Sequence, residues 1–161
     1  MPHFLAYPKR WQDYAATIVG GVLVNLVWAS ATVAVMTVMG IEVTPVAGED
    51  IFGSWRQLAL MWPPVGLEEL LFRAPLAIPV AFGLERGLAP LVVALSMLFG
   101  WAHGGGIPHI IVQGGVGLVL SLIFLKCGGL YHRPIRGWLC STASHGLYDS
   151  AIWLAVFFGG P

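Results

Sequence analysis

Between Ala15 and Gly40 the chain carries no charged side chain. A run of this length crosses a hydrocarbon layer of about 30 Å with tilt to spare. Further apolar runs extend from Leu88 to His103, from Pro108 to Leu125 and from Gly137 to Phe158, and each predicts a spanning helix. Residues 41–56 form the most polar connection, with Glu42, Glu49, Asp50 and Arg56. Residues 51–62 overlap its end and place Trp55 and Trp62 where a membrane interface would hold them. Pro63-Pro64 should then break the chain, since proline lacks an amide hydrogen and disfavours helix in the residue before it. A new helix from about Val65 to Phe82 would follow, kinked at Pro75 and Pro79, which membrane bundles tolerate. The pattern thus predicts an all-α, polytopic membrane helical bundle with about five transmembrane helices. It forms one domain over residues 1–161, with an N-terminal anchor helix at about 15–40 and a core at about 57–158.

Composition excludes the soluble classes. Of the 161 residues 57% are hydrophobic and only 10% charged, and mean hydropathy is +0.80. A soluble domain carries about 25% charged residues. The net charge is zero and no basic run is long enough to suggest nucleic acid. Lys9 and Arg10 precede the first apolar run as they would in a signal peptide, but the run exceeds an ordinary signal core and reads as a retained anchor. Asn25 within it should bond to a neighbouring helix. Cys127 and Cys140 have neither metal-ligand nor redox-motif spacing and read as small buried side chains.

Basic residues set the orientation. Lys9 and Arg10 at the N-terminus, and Lys126, Arg133 and Arg136 in the last loop, fall on one side when five helices are counted. That side should be cytoplasmic. The expected setting is a bacterial inner membrane with the N-terminus inside.

Ionisable groups within a bilayer are costly unless paired or wetted, which makes those in the predicted spans candidates for function. They are Glu68, Glu69, Arg73, His103, His109, His145 and Asp149. Placed just after Pro63-Pro64, Glu68 and Glu69 would sit in the first turns of a helix, where its dipole favours carboxylates. Glu69 and Arg73 are four apart and share a face, so they predict an ion pair. Glu68 lies about 100° round the helix and keeps no local counter-charge, which suits a general base. Phe99 and His103 are again four apart, as are His145 and Asp149. Three helices therefore offer Glu, His, and His with Asp to one cavity. His109, beside Pro108, reads as interfacial and His132 as a solvated loop residue. Each pair alone also fits a structural clamp or a satisfied polar contact; together they favour chemistry or ion handling.

The stretch GLEELLFRAP (66–75) resembles the EExxxR signature of the CPBP intramembrane proteases, the CAAX-protease and bacteriocin-processing family. FGWAH (99–103) resembles that family's FxxxH motif, and SHGLYD (144–149) its final HxxxN motif with Asp149 in place of Asn. The likeness covers about residues 62–152. It implies an intramembrane endopeptidase in which Glu68 and His103 activate a water, Glu69 and Arg73 orient Glu68, and His145 with position 149 stabilises an oxyanion. An ionised Asp149 would repel that oxyanion where an amide would donate to it. Asp149 is therefore expected to be protonated, to fix the tautomer of His145, or to help bind a metal. Glu68, His103, His145 and Asp149 have the chemistry of a zinc site, yet the HExxH signature is absent, so the expectation is a mechanism without a cofactor. The implied partner is a membrane-anchored protein or peptide: a prenylated tail, a bacteriocin leader or a C-terminal sorting anchor, the last favoured by an active site near the outer leaflet. Two other classes stay open: a non-catalytic protein of the same fold, such as an immunity or assembly factor, and a proton- or ion-coupled carrier, against which the lack of an internal repeat counts.

Overall fold

The computed structural model describes residues 6–42, 54–104 and 106–159. Five helices follow one another: α1 (Trp11–Val38), α2 (Trp55–Ala81), α3 (Leu88–Ala102), α4 (Ile107–Cys127) and α5 (Pro134–Gly159). There is no strand among the described residues. The all-α bundle is therefore as the apolar pattern predicts. Three stretches are long and apolar enough to cross a membrane: Trp11–Val38, Glu85–Ala102 and Ile107–Tyr131. Helices α2 and α5 are as long, at 27 and 26 residues, and carry the polar side chains. Glu49 and Asp50 of the expected acidic loop lie outside the described residues, as do residues 51–53.

Helix α4 is the centre of the bundle. It packs against α1, α3 and α5, and small residues bring α3 close. A Cβ on Gly100 would come within 2.7 Å of the Gly114 amide nitrogen, the His109 carbonyl and Ile110 Cα. Helix α1 runs antiparallel to α4, and α2 antiparallel to α5. Trp28 of α1 donates to the carbonyls of Ile111 and Val112 near the start of α4, whereas Gly21 lies against Ile123 near its end. Trp55 and Trp153 meet at 5.1 Å, so the first turn of α2 meets the last turns of α5. This order puts the N-terminal segment and the 128–133 turn at one end of the bundle, which we call the basic end.

Two expectations fail here. Pro63-Pro64 does not break the chain, since α2 continues from Trp55 through Pro63, Pro64, Pro75 and Pro79. The adjacent prolines deprive only the Ala59 and Leu60 carbonyls of their helical amides. Tertiary contacts hold the helix through the gap. The ring of Trp62 covers Gly146 of α5, where a Cβ would come within 2.6 Å of it. Trp138 Nε1 donates to the Gly66 carbonyl at 2.9 Å. Asn25 is fully buried, yet neither its Nδ2 nor its Oδ1 has a partner among the described residues. The seam between α1, α4 and α5 is apolar, built on Val116, Leu120, Ile123 and Tyr148 with Ile18, Val22 and Leu26. Its Ser144 hydroxyl is already donated to the Ile18 carbonyl. Cys127 and Cys140 are free and buried in the same cluster.

Gly100→Ala should therefore cost about 1–3 kcal/mol of stability, because the added methyl meets main chain that has no rotamer to give. Gly20→Ala, which meets nothing within 4 Å, is the comparison; thermal unfolding in detergent should separate the two.

Candidate active site

The site is built around one buried carboxylate. Glu69 lies near the middle of α2 and is wholly buried, as is Arg73 one turn later. Arg73 Nε donates to Glu69 Oε2 at 3.1 Å and Nη2 to Oε1 at 3.3 Å. This is the ion pair that the four-residue spacing predicts. The remaining guanidinium nitrogen, Nη1, donates to the Ser121 hydroxyl of α4 at 3.2 Å, and that hydroxyl donates to the Gly117 carbonyl. Glu69 Oε1 also faces His145 Nδ1 of α5 at 3.1 Å. An ionised carboxylate only accepts, so Nδ1 of His145 carries the hydrogen. The other ring nitrogen, Nε2, faces Asp149 Oδ2 at 3.4 Å. A continuous polar chain thus runs Ser121, Arg73, Glu69, His145, Asp149 across three helices.

Glu68 and His103 stand beside this chain. Helix α3 has only 15 residues, about 22 Å of rise, and His103 caps its end. His103 Nδ1 is 2.8 Å from the Phe99 carbonyl. A carbonyl only accepts, so Nδ1 is the donor and Nε2 turns to Glu68 Oε2, 3.6 Å away. Both side chains are partly accessible: Glu68 is 38% and His103 20% exposed, against 4% for His145 and none for Glu69 and Arg73. Asp149 keeps 26%.

Phe99 ties the two groups together. Its fully buried ring lies 4.3 Å from the His103 ring, 5.6 Å from that of His145 and 5.2 Å from that of Phe72. The Arg73 guanidinium sits over it at 5.2 Å. An aromatic face beside a cation and at the edges of two imidazoles is attractive in each contact.

The structure brings together all six residues singled out for this site: Glu68, Glu69, Arg73, His103, His145 and Asp149. It changes one detail. Glu68 and Glu69 sit at the middle of α2 rather than in first turns, because the helix begins at Trp55. The helix dipole therefore gives these carboxylates no help, and Arg73 and the two histidines do so instead. Glu68, without a counter-charge on its own helix, is faced by His103 of α3. His109 lies in the first turn of α4 and is buried against the preceding turn, where a Cβ on Gly104 would run into its ring. His132 is exposed in the turn after α4, as expected. Ser121 is the functional neighbour that the motif spacings omit. Its signal in the sequence is that it is the sole hydroxyl or charged side chain between Gln113 and Lys126. As for a metal, no three His, Cys, Asp or Glu side chains among the described residues are gathered to hold one. Nδ1 of each site histidine is directed at a protein oxygen, and His145 Nε2 at Asp149.

No protein-family model, no curated protein and no solved structure matches this chain.

Arg73→Met should destabilise the fold by about 3–5 kcal/mol, since it leaves Glu69 buried and short of its counter-charge. Glu68→Gln, at a partly exposed position, should cost less than about 1 kcal/mol. Melting curves of the two variants in one detergent test the division between a structural and a working carboxylate.

Proposed function

We propose that the protein is an intramembrane endopeptidase of the CPBP kind, hydrolysing a peptide bond in a membrane-anchored protein or peptide. The observation that carries this reading is the pairing of Glu68 with His103 Nε2. Two proton acceptors, both reachable from outside, converge on one small space. A water there would direct its hydrogens at the carboxylate and the imidazole and leave its lone pairs free for a substrate carbonyl. Glu68 would take the proton as the oxygen attacks, which suits a general base within hydrogen-bond reach.

The tetrahedral oxyanion then needs a hydrogen-bond donor held in place beforehand. His145 supplies the donor: Nδ1–H is anchored on Glu69, and Nε2, held beside Asp149 at 3.4 Å, would turn its hydrogen to the oxyanion as that charge forms. Asp149 in this role does not oppose the oxyanion directly, since its carboxylate is directed at the imidazole and keeps that ring oriented. On collapse, the C–N bond breaks and the proton held by Glu68 passes to the leaving amine. The balance closes with a carboxylic acid, a free amine and a regenerated site, and transfer of the acid's proton to the amine then gives carboxylate and ammonium.

Bilayer and bundle would limit access. Helices α2 and α5 extend beyond the end of α3, so a substrate reaches Glu68 between protein walls. With the basic end cytoplasmic, the site opens toward the outer leaflet and favours a C-terminal sorting anchor as substrate.

Co-expression with tagged membrane-anchored candidate substrates tests the reading. Glu68→Gln and His103→Ala should each lower cleavage at least about 100-fold with folding retained. Cleavage persisting in both variants would overturn the mechanism. Asp149→Asn should keep cleavage within about tenfold, because the amide oxygen still accepts from His145 Nε2.

A further inference from the structure

At the basic end, far from Glu68, the segment before α1 folds over the turn between α4 and α5. Tyr7 fixes it there. Its hydroxyl accepts from Arg133 Nη1 and Arg136 Nη1, each at 3.0 Å, and Arg133 lies over its ring. Between this segment, the first turns of α1 and the last turn of α4 lies a cleft of about 740 Å³, within the usual range for small-molecule sites.

Lys9, Arg10 and Lys126 line the cleft together with one acid, Asp13. That acid is already engaged. Its Oδ2 accepts the backbone amides of Lys9 at 3.1 Å and Arg10 at 2.9 Å, and its Oδ1 is 3.9 Å from the Arg10 guanidinium. Neither Lys9 nor Lys126 forms a side-chain ion pair among the described residues. Three cations against one satisfied carboxylate leave the cleft attractive to an anion.

Topology alone asks for basic residues at this end. It does not ask for a cleft that opens, at its α1 wall, onto the apolar face that the helix turns to lipid. Ala16 lines the cleft, and Val19, Leu23 and Val27 continue its face up α1, 53%, 58% and 68% exposed. Steps of three and four residues keep them in one stripe. A free anion has no use for the stripe, whereas acyl chains do.

We propose that this cleft binds the headgroup of an anionic phospholipid, with its phosphate among Lys9, Arg10 and Lys126 and its acyl chains along the Ala16–Val27 face. The site is independent of the peptidase reading. It would fix the depth and tilt of α1, on which α4 and α5 lean.

The test uses the full chain in neutral detergent, offered dioleoylphosphatidylglycerol and dioleoylphosphatidylcholine at equal concentration, with retained lipid read by native mass spectrometry. The anionic lipid should be retained at least about fivefold over the zwitterionic one. Lys126→Gln should lower that preference about fivefold and Lys9→Gln further, at roughly 1 kcal/mol per cation. Lys126→Arg should keep it. Arg86→Gln removes the same charge from the same end, in the α2–α3 turn outside the cleft, and should leave the preference unchanged. Equal retention of the two lipids would overturn the proposal. So would an equal loss in Arg86→Gln, which would mean a diffuse field rather than a site. Displacement of the lipid by excess inorganic phosphate would overturn it too, since the cleft would then serve a free anion.

Discussion

Everything at the centre of this bundle depends on satisfying one carboxylate. Glu69 has no access to solvent, and a charge buried without partners costs several kcal/mol. Its two oxygens are met by Arg73 from its own helix and by His145 from α5. Arg73 draws in Ser121 of α4, and Phe99 of α3 fills the space beneath the guanidinium. The rotation of α2, the depth of α5 and the seat of α3 are thus fixed by one set of directional contacts. Among TM-like helices such contacts matter more than apolar burial, because lipid offers apolar surface equally well.

This arrangement separates holding from working. Glu69, Arg73 and most of His145 are buried and mutually satisfied. Glu68 and His103, next to them in sequence or through Phe99, are only partly covered and face each other. A buried, mutually bonded inner network thus stands behind a partly accessible outer pair. The brevity of α3 matters equally. By ending at His103 it presents an imidazole to Glu68 where the helix stops.

Much of this is legible in the residues, and the failures have common causes. Ion pair and histidine–aspartate contacts four apart survive because helix geometry is local: Glu69–Arg73, His145–Asp149 and the Phe99–His103 turn all follow from it. Helix count follows from apolar length. Pro63-Pro64 misleads because proline's cost is measured in isolated helices, whereas here Trp62 on Gly146 and Trp138 on the Gly66 carbonyl hold α2 through the gap. That one difference moves Glu68 and Glu69 from a helix end to its middle. Asn25 and Ser121 depend on what the facing helix presents at one height, and no local pattern encodes that. Asn25 meets an apolar seam, while Ser121 meets a guanidinium.

The two ends of the molecule show the same economy with charge. Counting helices by parity places Lys9 and Arg10 beside Lys126, Arg133 and Arg136, and the Tyr7 hydroxyl bonded to both arginines shows that they meet. Nearly all cationic side chains are thus gathered at one end or held by Glu69, while the accessible carboxylates Glu68 and Asp149 lie deeper, against imidazoles. A bundle arranged this way has one end suited to an anionic surface and, further along its length, a recess in which proton acceptors face each other. The recess keeps its geometry only as long as the Glu69 contacts hold α2, α4 and α5 together and Phe99 keeps α3 against them.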